Sequence, residues 1–222
     1  MFACSWSGGK DSCYALWKCL QLGFDVKYLL NTYRKESGRV AFHGLRASLI
    51  RMQSECIGFD LKQVEVDGDD YEVQFKHSLK ELKSMGIRGI IFGDIDIEQN
   101  RRWCERVCAD VGLQAHFPLW NIDQKQLLID FIRSGFKALI VSANSKFFGE
   151  ECLGINVDEK WIDLLDRLRA DHFGKDLTYC GEMGEYHTFV FDGPIFRQPV
   201  RFMLGDKVWI NGYWLIDVSS SD

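Results

Sequence analysis

The sequence predicts an α/β fold: a parallel sheet with helices on both faces, followed by a smaller α+β region. Three observations predict it. An apolar pentapeptide, Met1 to Ser5, runs into a glycine turn and then a helical stretch. A phrase of helix, glycine and apolar strand recurs five times, at Gly23, Gly58, Gly86, Gly112 and Gly135. Near residue 143 that phrase stops, and glycine-dense, strand-like runs follow. Alternating helix and strand favours parallel strands joined by crossover helices, and so a sheet covered on both sides.

Phe2 to Ser5 is the first strand, and Cys13 to Leu20 belongs to the first helix. Phe24 to Leu30, Phe59 to Val66, Ile87 to Phe92, Leu113 to Leu119 and Phe136 to Val141 each follow a glycine as strands, about six in all. Glycine just past a helix is expected because it takes left-handed dihedrals without penalty. Tyr71, Phe75, Leu79 and Leu82 make one apolar stripe of helical period; Leu127, Leu128, Phe131 and Ile132 make another. Asp123 with Gln126 has the form of a capping box. Ser142 to Gly154 reads as irregular, and Asp158 to Arg169 as a helix. Strand-like runs occupy His187 to Phe191, Phe196 to Leu204 and Lys207 to Val218, before a frayed tail from Ser219. The expected division is residues 1–142 for the parallel-sheet unit and 143–222 for the smaller one.

At 222 residues the chain can bury a sizeable core, and 46% hydrophobic with 27% charged residues is ordinary for a soluble protein. No apolar run reaches membrane-spanning length, and no secretory signal is read at the N-terminus. A formal net charge of −5 argues against a non-specific nucleic-acid binder. The eight cysteines include no C-x-x-C pair. Neither a zinc ribbon nor a dithiol redox centre is expected, and the cytoplasm is the expected location. Cys104 and Cys108, four apart on a helix, read as buried small hydrophobes rather than metal ligands.

The richest stretch is Ser5-Trp6-Ser7-Gly8-Gly9-Lys10-Asp11-Ser12. Strand, glycine turn and helix aim free backbone N–H groups at an anion. Gly8 and Gly9 permit close approach, Ser7 and Ser12 offer hydroxyls, and Lys10 adds charge. The spacing is neither that of a Walker A loop nor that of a dinucleotide fingerprint. Ser-Gly-Gly-Lys-Asp-Ser resembles instead the pyrophosphate loop of the ATP pyrophosphatase superfamily. A nucleotide is expected beyond the carboxyl ends of the strands, where their order reverses. Gly93-Asp94, after Ile90 to Phe92, and Thr32 leave such ends and are candidates for the same site.

A second constellation is Cys180-Gly181-Glu182-Met183-Gly184-Glu185-Tyr186-His187-Thr188, a glycine-rich turn leading into a strand. Glu182 and Glu185 there could bind ammonia, position an amine or share a metal; an exposed acidic hairpin is the plainer alternative. Taken together, the two motifs resemble the diphthine–ammonia ligase family. Glu36-Ser37 with His43, Gly93-Asp94 with Arg101 and Glu105, Pro118-Leu119-Trp120, Gly135-Phe136 and Leu153-Gly154 are also similar to its segments, in the same order, from residue 2 to about 200.

The resemblance implies a Rossmann-like fold of the adenine nucleotide alpha hydrolase type and an ATP-dependent, AMP-forming amide ligase. ATP and Mg²⁺ are the implied cofactors. The implied partners are ATP, ammonia and an acceptor carboxylate, on a modified protein histidine (diphthine) or on a small molecule; a homodimer is compatible, and neither membrane nor nucleic acid is expected. Ser7, Gly8, Gly9, Lys10, Asp11 and Ser12 would hold the departing pyrophosphate, with Thr32, Gly93, Asp94 and Arg101 completing the nucleotide site. Asp11 and Asp94 are the implied Mg²⁺ ligands. Arg101 has an alternative in an i,i+4 ion pair with Glu105. Lys10, Asp11, Glu182, Glu185 and His187 are the implied catalytic set, the last three lining the acceptor and ammonia side. The chain departs from the family pattern at Met183, where a glycine is usual, and at His187, where a glutamate is usual. That exchange changes charge and proton chemistry and leaves another acceptor, such as a corrinoid, open. Sulfur transfer and a non-catalytic nucleotide sensor are the remaining alternatives. Outside the motifs, His116 reads as a packed histidine and Trp6 as packing beneath the loop.

Overall fold

The computed structural model describes residues 1–40, 43–68 and 70–221. Its first sheet holds β1 (Phe2–Ser5), β2 (Val26–Arg34), β3 (Asp60–Val66), β4 (Gly89–Ile91) and β5 (Gln114–His116), all parallel, in the order β3-β2-β1-β4-β5. The helices between are α1 (Lys10–Gln21), α2 (Ala47–Ile57), α3 (Tyr71–Ser84) and α4 (Glu98–Ala109), with α5 (Gln124–Arg133) after β5. All five glycines of the repeated phrase take positive φ, from +69° at Gly112 to +90° at Gly86. Each ends a helix and lets the chain turn sharply into the next element.

Adjacent residues in the strands point to opposite faces, so each strand feeds two layers. Ala3, Leu30 and Ile90 pack with Phe75, Leu79, Val107 and Cys108 from α3 and α4. Cys4, Leu29 and Ile91 pack with Cys13, Leu16, Leu49 and Ile50 from α1 and α2. This second layer runs without a break into the rest of the chain, through Phe131, Ile140, Trp161, Tyr186 and Phe189.

The sixth predicted strand departs from expectation. β6 (Lys137–Asn144) leaves the parallel sheet and becomes an inner strand of a second, antiparallel sheet. Its companions are β7 (Tyr186–Asp192), β8 (Phe202–Ile210) and β9 (Tyr213–Ser220), in the order β7-β6-β9-β8. A buried run such as Ala138 to Val141 fits the interior of either kind of sheet, and periodicity alone does not choose between them. The run from Lys207 to Val218 is likewise two strands. Asn211 and Gly212, both at positive φ (50° and 88°), form the hairpin turn between them. Before β7 lies α6 (Glu159–Leu168), capped by Asp158, whose carboxylate accepts from the N–H groups of Lys160 and Trp161. Asp123 caps α5 as its sequence predicts, accepting from Gln126 N at 2.9 Å.

The eight cysteines are all buried and unpaired. Burial raises every one of their thiol pKa values, to about 12 at Cys108 and Cys152. Among the described residues no helix is long and apolar enough to cross a membrane.

One polar side chain ties the two sheets together. Gln53 of α2 is fully buried, accepts from Trp6 Nε1 at 2.8 Å, and donates to Gly8 O at 3.0 Å and Val190 O at 2.6 Å. It joins α2, the loop after β1 and β7 at a single point. Gln53→Leu keeps the volume and takes the amide from Trp6 Nε1 and Val190 O, while Gly8 O keeps its bond from Val190 N. Each of these two groups costs about 1–3 kcal/mol, so an overall loss of about 2–6 kcal/mol is expected in urea unfolding; an unchanged midpoint would show that the amide is not holding the sheets.

Candidate active site

The strand order reverses between β2 and β4, with β1 at the switch point, and the loops leaving β1 and β4 lie side by side there. Gly8, at φ +83°, faces Ile50 and Gln53, where a Cβ atom would lie 2.5 Å from Ile50 Cδ1. A Cβ on Gly9 would strike the His43 ring. A Cβ on Gly93 would lie 2.8–2.9 Å from backbone atoms of Asp11 and Ser12. All three glycines are therefore sites of close approach that a side chain would block.

The loop is held from several directions. Asn31, buried in β2, donates to Trp6 O at 2.8 Å, and Val190 N donates to Gly8 O at 3.0 Å. Thr188 Oγ1 accepts from Lys10 N at 2.9 Å. Ser7 Oγ accepts from Gly9 N, Ser12 Oγ donates to Gly9 O, and the two hydroxyls are 3.3 Å apart. Helix α1 begins at Lys10 with no side-chain cap from Gly9; Thr188 takes the Lys10 N–H, and the N–H groups of Asp11 and Ser12 are left for an anion.

Lys10 is buried, with 4% of its side chain exposed. Its ammonium donates to Asp11 Oδ2 at 2.8 Å and to Cys180 O, and lies 5.1 Å from the centre of the Tyr186 ring. Burial alone would lower its pKa; the Asp11 carboxylate, Tyr186 and Cys180 outweigh it, and Lys10 stays charged. The surroundings are acidic. Burial raises the Asp11 carboxyl against the pull of Lys10. Burial and the Asp11 charge raise Asp94, while Asn100 hydrogen-bonds it. Glu182 is pushed up to about 8 by burial and by Asp11, with Asp94 and Asp96 adding to the repulsion. Its carboxylate accepts from Ile95 N at 3.4 Å.

These groups face a cavity of about 240 Å³. Ser7, Lys10, Asp11, Ser12, Gly93 and Asp94 line it from the first unit, and Glu182, His187 and Thr188 from the second. A larger cavity of about 580 Å³ shares Ser7, His43, Asp94 and His187 with it and continues over Leu30, Thr32, Val66 and Tyr71. Thr32 lies there in hydrogen-bond contact with Tyr71. The His43 and His187 rings sit 4.8 Å apart at the junction. Burial lowers His43 to about 4 and His187 well below its ordinary value, so both are neutral at pH 7.

Two expected members stand elsewhere. Glu185 is fully buried and turned away from the cavity, its carboxylate accepting from Thr178 N at 2.6 Å and Met183 N at 2.8 Å. It holds the turn that presents Glu182. Arg101 pairs with Glu105 at 2.8 Å and stacks over Trp120 at 4.7 Å, outside the lining of both cavities. Sequence reading overlooks Gln53, Asn31, Thr188, Tyr71 and Asn100. Gln53 and Asn31 leave a trace: each interrupts an apolar pattern, Leu49-Ile50…Ile57 in a helix and Leu29-Leu30 in a strand. His116 is a packed histidine, set edge-on to Phe2 and Phe24.

Comparison with known proteins gives a consistent outcome. The family model described as diphthamide synthase N-terminal domain matches residues 2–115, and that of the diphthamide synthase C-terminal domain matches residues 123–221. A diphthine–ammonia ligase of Schizosaccharomyces pombe is 29% identical over 221 residues, which is 90% of this chain and 35% of that protein. Those of Danio rerio and Homo sapiens are each 27% identical, over 87% of this chain and 83% and 79% of their own lengths. This chain therefore spans about a third of the fission yeast relative. With family models matching on both sides of residue 120 and accounting for nearly all of its length, the chain belongs to the diphthamide synthase family.

Proposed function

We propose that this chain is an ATP-consuming, AMP-forming ligase that converts an acceptor carboxylate to an amide. The observation that carries it is the uncapped start of α1 together with the buried ammonium of Lys10, facing the same cavity as Glu182. The loop from Ser7 to Ser12 would take the β,γ-phosphates, and the larger cavity past Thr32 and Tyr71 the nucleoside. A carboxylate oxygen of the acceptor attacks the α-phosphorus, the bond to the bridging oxygen breaks, and pyrophosphate leaves. Ammonia then attacks the acyl carbon, AMP departs with the bonding electrons, and a proton passes to a base. Glu182, tuned to about 8, is suited to that proton transfer at neutral pH. Fixed donors and Lys10 stabilise the charge that develops on the leaving phosphates. In this reading residues 1–142 bind the nucleotide and 143–222 shape the acceptor side.

The residues also fit a magnesium ion. Asp11 and Asp94 both line the cavity, and Asp94 feels the repulsion of Asp11, which a divalent cation would relieve. Among the described residues no group of three or more His, Cys, Asp or Glu forms a metal cage. Magnesium suits such a place, since it takes one or two carboxylates with phosphate oxygens and water. When bound it would neutralise phosphate charge.

The relatives named as diphthine–ammonia ligases favour diphthine as acceptor. His187, where the family pattern has glutamate, supports a second reading with a different carboxylate such as a corrinoid side chain. Incubating the chain with ATP, ammonia and each acceptor, and measuring AMP and pyrophosphate, separates them. ADP with orthophosphate as the products would remove both.

Lys10→Ala is expected to lower AMP formation by at least about 10²-fold with circular dichroism unchanged, since it removes the cation aimed at the leaving group. Gly93→Ala forces a methyl against the backbone of Asp11 and Ser12. Its kcat/KM for ATP should fall roughly ten- to hundred-fold. Glu182 acts as a base only when ionised, so amidation should rise with pH through about 8 and the Glu182→Gln variant should lose that limb. Hydroxylamine, which titrates below this range, replaces ammonia in the assay so that the limb belongs to the enzyme. A profile identical in the variant would assign the proton transfer to another group.

A further inference from the structure

A third cavity, of about 400 Å³, lies behind the histidine pair, between the segment after β2 and the β8–β9 hairpin. It shares Arg34, Val40 and His187 with the nucleoside cavity, so the two spaces meet along one wall. The sheet register explains its floor. Ser142 of β6 pairs with His187 of β7 on one side and with Leu215 of β9 on the other, which sets the three side chains in one row. Ser142 is 1% exposed, lines this cavity, and its hydroxyl has no hydrogen-bond partner among the described residues. A buried hydroxyl left without a partner points to a polar ligand.

The charge of the walls selects the ligand. Among the described lining residues none is acidic. Arg39 is committed to Gly44 O at 2.6 Å and to Asp217 at 2.7 Å, which fixes the rim. Arg34, exposed at the mouth, has no side-chain hydrogen bond or ion pair among the described residues. One uncommitted guanidinium outside and one uncommitted hydroxyl within suit a carboxylate on a largely apolar stem, because Val40, Ile210, Tyr213 and Leu215 supply much of the remaining surface beside Ser37 and Asn211.

We propose that this cavity holds the carboxylate-bearing side chain of the acceptor and delivers it past His187 to the nucleotide. The inference rests on the ligase reading above and adds to it the entry path and the residues that recognise the acceptor. Arg34 captures the carboxylate at the mouth. Ser142 donates to the acceptor inside, and His187 marks the passage between the two spaces.

The test is direct binding to the full chain carrying a non-hydrolysable ATP analogue. The probes are a diphthine-bearing protein and its unmodified counterpart. Arg34→Ala and Ser142→Ala should each weaken binding of the diphthine-bearing protein, by about ten-fold or more for Arg34. Ser142→Ala should keep nucleotide affinity within about two-fold, and both variants should bind the unmodified protein like the parent chain, as an ordinary surface contact would not require. Ser142→Ala removes a hydroxyl with no internal partner, so folding is not at issue in that variant. A parallel loss of nucleotide affinity would reassign Arg34 to the phosphates and overturn the proposal. Unchanged binding in both variants, or a parent chain blind to the modification, would also overturn it. AMP release by the parent chain is measured separately. Variant-sensitive acceptor binding without AMP removes the ligase reading and keeps the cavity; AMP formation with indifferent variants does the reverse.

Discussion

A charged ammonium placed where only 4% of its side chain meets solvent sets terms for everything around it. Taking such an ion out of water costs several kcal/mol unless partners surround it. Lys10 finds them on two separate parts of the chain: Asp11 beside it, and the Cys180 carbonyl from the turn before β7 with the Tyr186 ring at the start of that strand. The parallel-sheet unit supplies the cation and the Asp11 carboxylate that chiefly keeps it charged, and the antiparallel unit supplies the carbonyl and ring that complete its surroundings. The loop and the second sheet must therefore dock together, and Gln53 and Thr188 fix that docking at the backbone of Gly8 and Lys10. Catalytic geometry and the joint between the two sheets are the same set of contacts.

The first sheet was largely legible because its signals are local. Each glycine that ends a helix is needed at a left-handed position, and each apolar strand follows at once. The loop at Ser7 to Ser12 was legible for the same reason, since strand, turn and helix are contiguous. What escaped depends on contacts distant in sequence. Whether β6 pairs with the parallel strands or with β7 and β9 is decided by partners about fifty and seventy residues away. Glu182 and Glu185 look alike on paper; only the fold shows one facing the cavity and the other spent on Thr178 and Met183. The Asn211–Gly212 turn is a missed local signal rather than a hidden one.

The division between Glu182 and Glu185 illustrates how a short motif holds two kinds of work. Glu185 satisfies two backbone N–H groups of a tight turn, and its full burial makes that turn rigid. Glu182, three residues earlier, is then buried beside Asp11 and Asp94, and burial together with their repulsion gives a carboxyl that keeps its proton near neutrality. Positioning of one acid by another, through backbone rather than through direct contact, also accounts for the glycines on either side: Gly181 and Gly184 both sit at positive φ.

The cysteines carry a consequence of another kind. Thiolate, not thiol, reacts with alkylating reagents, and all eight thiols are buried with raised pKa values. Labelling must then wait for the chain to open, which makes the native sulfurs intrinsic timers of local unfolding. Cys104 and Cys108 sit in the layer under α4, and Cys152 in the core shared with the second sheet. Comparing their labelling rates would reveal which layer loosens first, with no engineered probe.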